Sequence, residues 1–152
     1  MSIKSDIKAK NAYIKHLEKN GFTNCRVEAS PADIIAEKNG EVFYFEIKKT
    51  TKTDNYFGAA TLTEWAQALK TPNHYRFVIA KTDVAEEVFT FTELTPEEMM
   101  LHSTIPPFKV YFNIDFDKDA TKRKRRTAIN LTPDRIARLI DVFENLRNET
   151  EE

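Results

Sequence analysis

The chain has 152 residues, with 23 Lys and Arg against 24 Asp and Glu, and is 41% hydrophobic and 11% aromatic, which suits one domain with a continuous core. A net charge of −1 excludes a global field drawing the protein to nucleic acid or a membrane surface, so any polyanion site has to be local. The lone cysteine, Cys25, excludes an internal disulfide framework, and there is neither an apolar run near the roughly 20 residues of a membrane span nor a secretion-signal core, so a cytoplasmic protein with no membrane partner is expected.

Ser5 can cap a helix running to about Asn20, with Ile3, Ile7, Ile14 and Leu17 near one face, lysines on the other and Gly21 as its stop. Cys25 to Ala29 reads as a strand, Cys25 being a small core residue, and Ser30-Pro31 breaks it. Two runs rich in Ile, Val, Phe and Tyr then flank Asn39-Gly40, the dipeptide suited to the positive φ angles of a two-residue hairpin. Lys49 to Gly58 is polar and reads as a loop. Thr61 or Thr63 can cap a short helix from Glu64 to Leu69, with Trp65, Ala68 and Leu69 on its apolar face and Glu64 and Gln67 elsewhere around it.

Tyr75 to Ala80 is a compact apolar run, read as a buried strand parallel to an earlier one after the helical crossover, and Val88 to Thr92 is another short strand. Thr95-Pro96-Glu97-Glu98 opens a helix ending near His102, with Met99 and Met100 as core filler. Phe108 to Phe116 alternates Val110, Phe112, Ile114 and Phe116 against Tyr111, Asn113 and Asp115, the pattern of a half-buried strand. Lys122-Arg123-Lys124-Arg125-Arg126 is an unbroken basic run without apolar periodicity. Thr132-Pro133-Asp134 opens a last helix in which Ile136, Leu139, Ile140, Phe143 and Leu146 recur at helical spacing. One domain over residues 1–148 is expected, followed by an acidic tail at 149–152.

The hairpin carries an electrostatic anomaly. With Asn39 and Gly40 as its loop, Ala36 opposes Phe43, Ile34 opposes Phe45 and Asp33 opposes Glu46. Opposed carboxylates with Cβ atoms about 5 Å apart repel by about 3 kcal/mol at an effective dielectric near 20, so something positive has to lie between them. Side chains alternate along a strand, which puts Lys48 on the face of Glu46, and a divalent cation held by both acids would remove the remaining conflict.

Pro31-Ala32-Asp33, twelve intervening residues and Glu46-Ile47-Lys48 resemble the motif of the PD-(D/E)XK nuclease superfamily, the restriction-endonuclease-like fold. A closer likeness is to the nuclease-like domain at the C-terminus of the plant protein NO VEIN and in many bacterial defence proteins. It is carried by Glu46-Ile47-Lys48-Lys49-Thr50-Thr51, by Thr61-Leu62-Thr63-Glu64-Trp65 with Ala68, and by Tyr75-Arg76-Phe77-Val78. The likeness covers roughly residues 5 to 80. It departs in the extra Lys49 and in the first helix, where Lys8, Ala9, Lys10 and Asn11 stand in a stretch that carries an acid in many relatives.

The resemblance implies an α/β fold with a mixed central sheet flanked by helices and a C-terminal helix packed across it. It implies that Asp33, Glu46 and the Ile47 carbonyl bind Mg²⁺ or Mn²⁺, and that Lys48 positions or activates the attacking water. Gln67 resembles a glutamine that many members place near the site. Phosphodiester hydrolysis needs this combination, a metal that polarises the phosphoryl group and a cation near the developing charge.

The expected activity is metal-dependent hydrolysis of nucleic acid, with DNA as the expected substrate, in defence, restriction or repair. A homodimer would cut both strands. Lys122, Arg123, Lys124, Arg125 and Arg126, with Lys49 and Lys52, are the candidate phosphate-binding residues, as counterion release would favour. The alternative is a catalytically silent module of the same fold that binds nucleic acid or a partner protein.

Overall fold

The computed structural model describes residues 3–106, 109–112, 114, 116 and 131–149. The chain forms two compact units, residues 1–104 and residues 105–152. The first unit contains α1 (Ile3–Lys19), β1 (Thr23–Val27), β2 (Ile34–Lys38), β3 (Glu41–Thr50), α2 (Leu62–Lys70), β4 (Tyr75–Thr82), β5 (Phe89–Leu94) and α3 (Pro96–Leu101), with a 3₁₀ turn at Pro72–His74 leading into β4.

The strands form one mixed sheet in the order β1-β2-β3-β4-β5, antiparallel except for the parallel pair β3 and β4. The fold is thus α/β, a mixed sheet flanked by helices. The Asn39-Gly40 turn sets the register expected of it. Both residues have positive φ, 53° and 77°, and Ile34 opposes Phe45 while Ala36 opposes Phe43. The parallel pair requires a crossover, which the segment containing α2 provides, and Tyr44 to Thr50 then align with Tyr75 to Lys81.

Strand alternation divides the core into two layers. Phe45 and Ile47 of β3 join Ile34, Ala36, Val78 and Ala80 beneath Ala9, Tyr13 and Leu17 of α1. Tyr75 and Phe77 belong to a second cluster with Ala32 and Ala68, against which Trp65, Tyr44 and Met99 pack. The buried stripe of α1 is therefore Ala9, Tyr13 and Leu17, and the expected Ile7 is 45% exposed. Ala and Tyr win those positions because the Tyr13 ring packs edge-on against Phe45 and Phe91 while its hydroxyl donates to Glu93. Cys25 packs against the same layer.

Several boundaries and faces differ from those read in the sequence. Strand β1 begins at Thr23 rather than Cys25, β3 runs two residues into the expected loop, and β5 lies one to two residues later than expected. On α2, Leu69 is 59% exposed, so Trp65 and Ala68 alone serve the core. Met99 packs against the core but Met100 does not. Helix α3 keeps its expected start, with Thr95 and Glu98 forming a reciprocal capping box.

In the second unit, α4 spans Pro133–Glu149, with Thr132 accepting the Arg135 N–H. None of its residues is buried. The expected strand over 108–116 is not found among the described residues of that stretch, and Tyr111, Phe112 and Phe116 are exposed. Alternation makes a strand only where a neighbouring strand offers its backbone. The basic run Lys122 to Arg126 lies outside the described residues.

Leu17→Ala removes a buried side chain of α1 and is expected to cost about 2–5 kcal/mol in urea unfolding. Ile7→Ala, on the face first expected to be buried, should change stability by no more than about 0.5 kcal/mol.

Candidate active site

Asp33 ends the turn that leads into β2, and its backbone carbonyl accepts the Glu28 N–H. The ladder of the hairpin ends at Ile34 and Phe45, one step short of the Asp33 and Glu46 pair read in the sequence. Asp33 Oδ2 accepts the backbone N–H of Ile47 at 2.9 Å, and Oδ1 takes the Lys10 ammonium at 2.9 Å. Lys10 also holds Asp6, one helical turn away, at 2.8 Å. The first helix thus sends a lysine to Asp33, and that lysine carries a second acid behind it.

Glu46 and Lys48 share one face of β3, as alternation requires. Lys48 Nζ lies 3.2 Å from Glu46 Oε1 and 2.6 Å from Glu64 Oε1. Glu64, read in the sequence as lying elsewhere around α2, is buried and belongs to this site. A capping box fixes it: the Thr61 hydroxyl accepts the Glu64 N–H, and Glu64 Oε2 accepts the Thr61 N–H at 2.7 Å. The signal for it was present as Thr61-x-x-Glu64 at the start of an apolar helix, which aims the glutamate back along the helix toward the end of the neighbouring strand.

Two acids around one ammonium do not titrate alike. Burial pushes the Glu46 carboxyl up, the hydrogen bond with Glu64 and the charge of Asp33 add to this, and Lys48 opposes it only in part, leaving it at about 9. Burial also acts to raise Glu64, but hydrogen bonds from Glu46, Lys48 and Thr61 outweigh it and bring Glu64 down to about 2. The distances agree with this division. Glu64 has the shorter contact to Lys48 and a backbone donor besides, so it keeps the charge while Glu46 keeps the proton. Burial works against the Lys48 ammonium and is overcome by Glu64 and Glu46, so its pKa is raised.

The phenol of Tyr75 lies fully buried in the layer on this face, and among the described residues its hydroxyl finds no hydrogen-bond partner. Burial and the negative field of Glu46, Glu64 and Asp33 hold it protonated. Sequence reasoning placed Tyr75 in the core and gave its hydroxyl no part.

The structure brings Asp33, Glu46, Ile47 and Lys48 together and adds Glu64 and Lys10. It does not bring in Gln67, whose amide donates to the Thr71 hydroxyl. Lys49 is drawn into an ion pair with Glu86, while Lys52 is exposed in the loop after β3. The oxygen donors of Asp33, Glu46 and the Ile47 carbonyl are of the hard type that Mg²⁺ and Mn²⁺ take, and Asp33 already accepts the Ile47 N–H and the Lys10 ammonium. By donor type alone they suit such a cation. Among the described residues, however, no three His, Cys, Asp or Glu side chains form a ready-made metal cluster, and a lysine stands at each acid of the set.

A family model described as Protein NO VEIN, C-terminal, matches residues 5–92, more than half of the chain and all of β1 to β4. Neither the search of curated proteins nor that of solved structures gave a match.

The raised Glu46 carboxyl makes stability depend on pH. Between the usual carboxylate range and about 9, the folded protein holds a proton that the unfolded chain has released, so without added metal stability should fall as pH rises through this window. For one proton the slope approaches about 1.4 kcal/mol per pH unit. Glu64 acts oppositely, adding stability as pH rises from about 2 into the usual carboxylate range. Urea midpoints measured from pH 5 to 9 should decline for the wild type and flatten for Glu46→Gln.

Proposed function

The chain belongs to the family of the NO VEIN C-terminal domain, and on that premise we propose that it is a metal-dependent nuclease hydrolysing phosphodiester bonds, with DNA as its substrate. The observation that carries this reading is the convergence of three elements, β3, α2 and the turn before β2, on the segment Glu46-Ile47-Lys48. The Lys48 ammonium is gripped by Glu46 of its own strand and Glu64 of the crossover helix, while Asp33 is pinned to the N–H of the residue between Glu46 and Lys48. The likeness of Asp33, Glu46 and Lys48 to the PD-(D/E)XK motif gives the arrangement its chemistry.

Asp33, Glu46 and the Ile47 carbonyl would hold Mg²⁺ or Mn²⁺. When bound, such a cation polarises the phosphoryl group and lowers the pKa of water. Lys48, oriented from two sides, supplies a fixed positive charge where negative charge grows on the phosphoryl oxygens, and it costs no reorganisation at that moment. Lys10 can leave Asp33 without losing a counter-charge, because Asp6 lies 2.8 Å from the same ammonium. Glu64 holds Lys48 in place and stays charged as it does so. Gln67 has its amide on Thr71 and is left out of the catalytic set. One such site cuts one strand, so duplex cleavage calls for a homodimer.

A second reading is favoured by the same lysines. Since each acid of the set already has a cationic partner, the domain can be a catalytically silent member of its family that binds nucleic acid or a partner protein.

Purified protein should nick supercoiled DNA in Mg²⁺ or Mn²⁺, and Asp33→Ala, Glu46→Ala and Lys48→Ala should each lower the rate by about a hundredfold or more. A variant that cuts as well as the wild type would remove its residue from the site. No cleavage of supercoiled, linear or branched DNA in either metal would leave the silent module as the reading.

A further inference from the structure

A groove of about 560 Å³ lies on the α1 side of the first unit, and it shares no lining residue with the Asp33, Glu46, Lys48 and Glu64 cluster. One wall is α1, which contributes Lys8, Lys15 and Lys19. At 100° per residue these three fall within an arc of about 40°, spread along about 16 Å of helix axis. All three are exposed, and among the described residues none of them forms an ion pair. The other wall carries Phe89 and Phe91 of β5, half-buried, with parallel rings 6.3 Å apart. Two acids, Glu86 and Glu87, also line it, but Glu86 is paired with Lys49. The lining therefore holds a surplus of positive charge beside aromatic rings.

A row of unpaired ammonium groups facing aromatic rings suits a chain of regularly spaced anions that also offers flat apolar faces. We infer that this groove binds single-stranded nucleic acid, with Lys8, Lys15 and Lys19 following the sugar–phosphate backbone and Phe89 and Phe91 receiving a base. A duplex would keep its bases stacked inside and leave the phenylalanines unused, which is why the single strand is the better occupant. The inference rests on the phosphodiester reading for its substrate class, but it concerns binding and needs neither metal nor cleavage.

The test is fluorescence anisotropy of the full chain with labelled oligo(dT) and oligo(rU) in EDTA over a range of salt. Three phosphates neutralised on a single strand give a log–log salt slope of about −2 from this groove. The triple variant Lys8→Gln, Lys15→Gln, Lys19→Gln should lose that part of the slope and bind at least about tenfold more weakly at low salt, while its circular dichroism stays that of the wild type. Phe89→Leu should weaken oligo(dT) binding about tenfold yet leave an abasic strand of equal length unaffected. Unchanged affinity and slope in the triple variant, or no binding by the wild type, would overturn the inference. So would lysine-dependent binding of duplex in preference to single strand. Cleavage lost throughout with these binding results intact would sink the nuclease reading and leave the groove standing.

Discussion

The Lys48 ammonium sits between Glu46 and Glu64 with little of any of the three side chains open to solvent, and the docking of α2 beside β3 depends on how that charge is met. Removing either partner from a buried ion pair typically costs about 3–5 kcal/mol, mostly because the other charge is left uncompensated. Here the charge is met by the Glu64 carboxylate from the first turn of the crossover helix, with the protonated Glu46 within 3.2 Å on the strand. Glu64 does two jobs with one carboxylate, one oxygen for Lys48 and one for the Thr61 N–H, so the helix start and the site are fixed by the same side chain. A similar economy holds at Asp33, whose two oxygens tie the Ile47 backbone and the α1 lysine to the entry of β2.

These ties explain why the acids can approach one another without metal. Lys10 and Lys48 supply two positive charges from two different elements, and the proton retained on Glu46 removes one of the negative charges that would otherwise remain. The repulsion inferred from the hairpin is thus real in its cause but relieved in three ways at once. The cation proposed for Asp33 and Glu46 would have to displace a proton and an ammonium, which would link its binding to pH and to where Lys10 sits.

Much of this was legible in the sequence because it is local. Asn39-Gly40 dictates the hairpin register through backbone conformation alone, and alternation then places Lys48 with Glu46. Thr95-Pro96 and the parallel strand at Tyr75 were equally readable. What escaped was set by packing between distant elements. Aliphatic periodicity favoured Ile7, whereas the sheet accepts Ala9 and Tyr13, since a small residue lets the helix approach and a phenol reaches Glu93. Glu64 was placed by helical-wheel position when its direction was decided by the capping box, and Lys10 was seen only as the lack of an acid. The run from Phe108 to Phe116 has the right alternation but finds no ladder among the described residues, which no pattern within one segment reveals.

The single parallel pairing, β3 with β4, has a consequence for how the site comes into being. Asp33, Glu46 and Lys48 lie on one tight hairpin whose closure is fast and entropically cheap, so these three can meet early in folding. Glu64 arrives only when the chain has crossed over and laid β4 alongside β3, a non-local event that is intrinsically slower. The contact of Lys48 with Glu46 is thus local to one strand, whereas its contact with Glu64 exists only with the crossover in place.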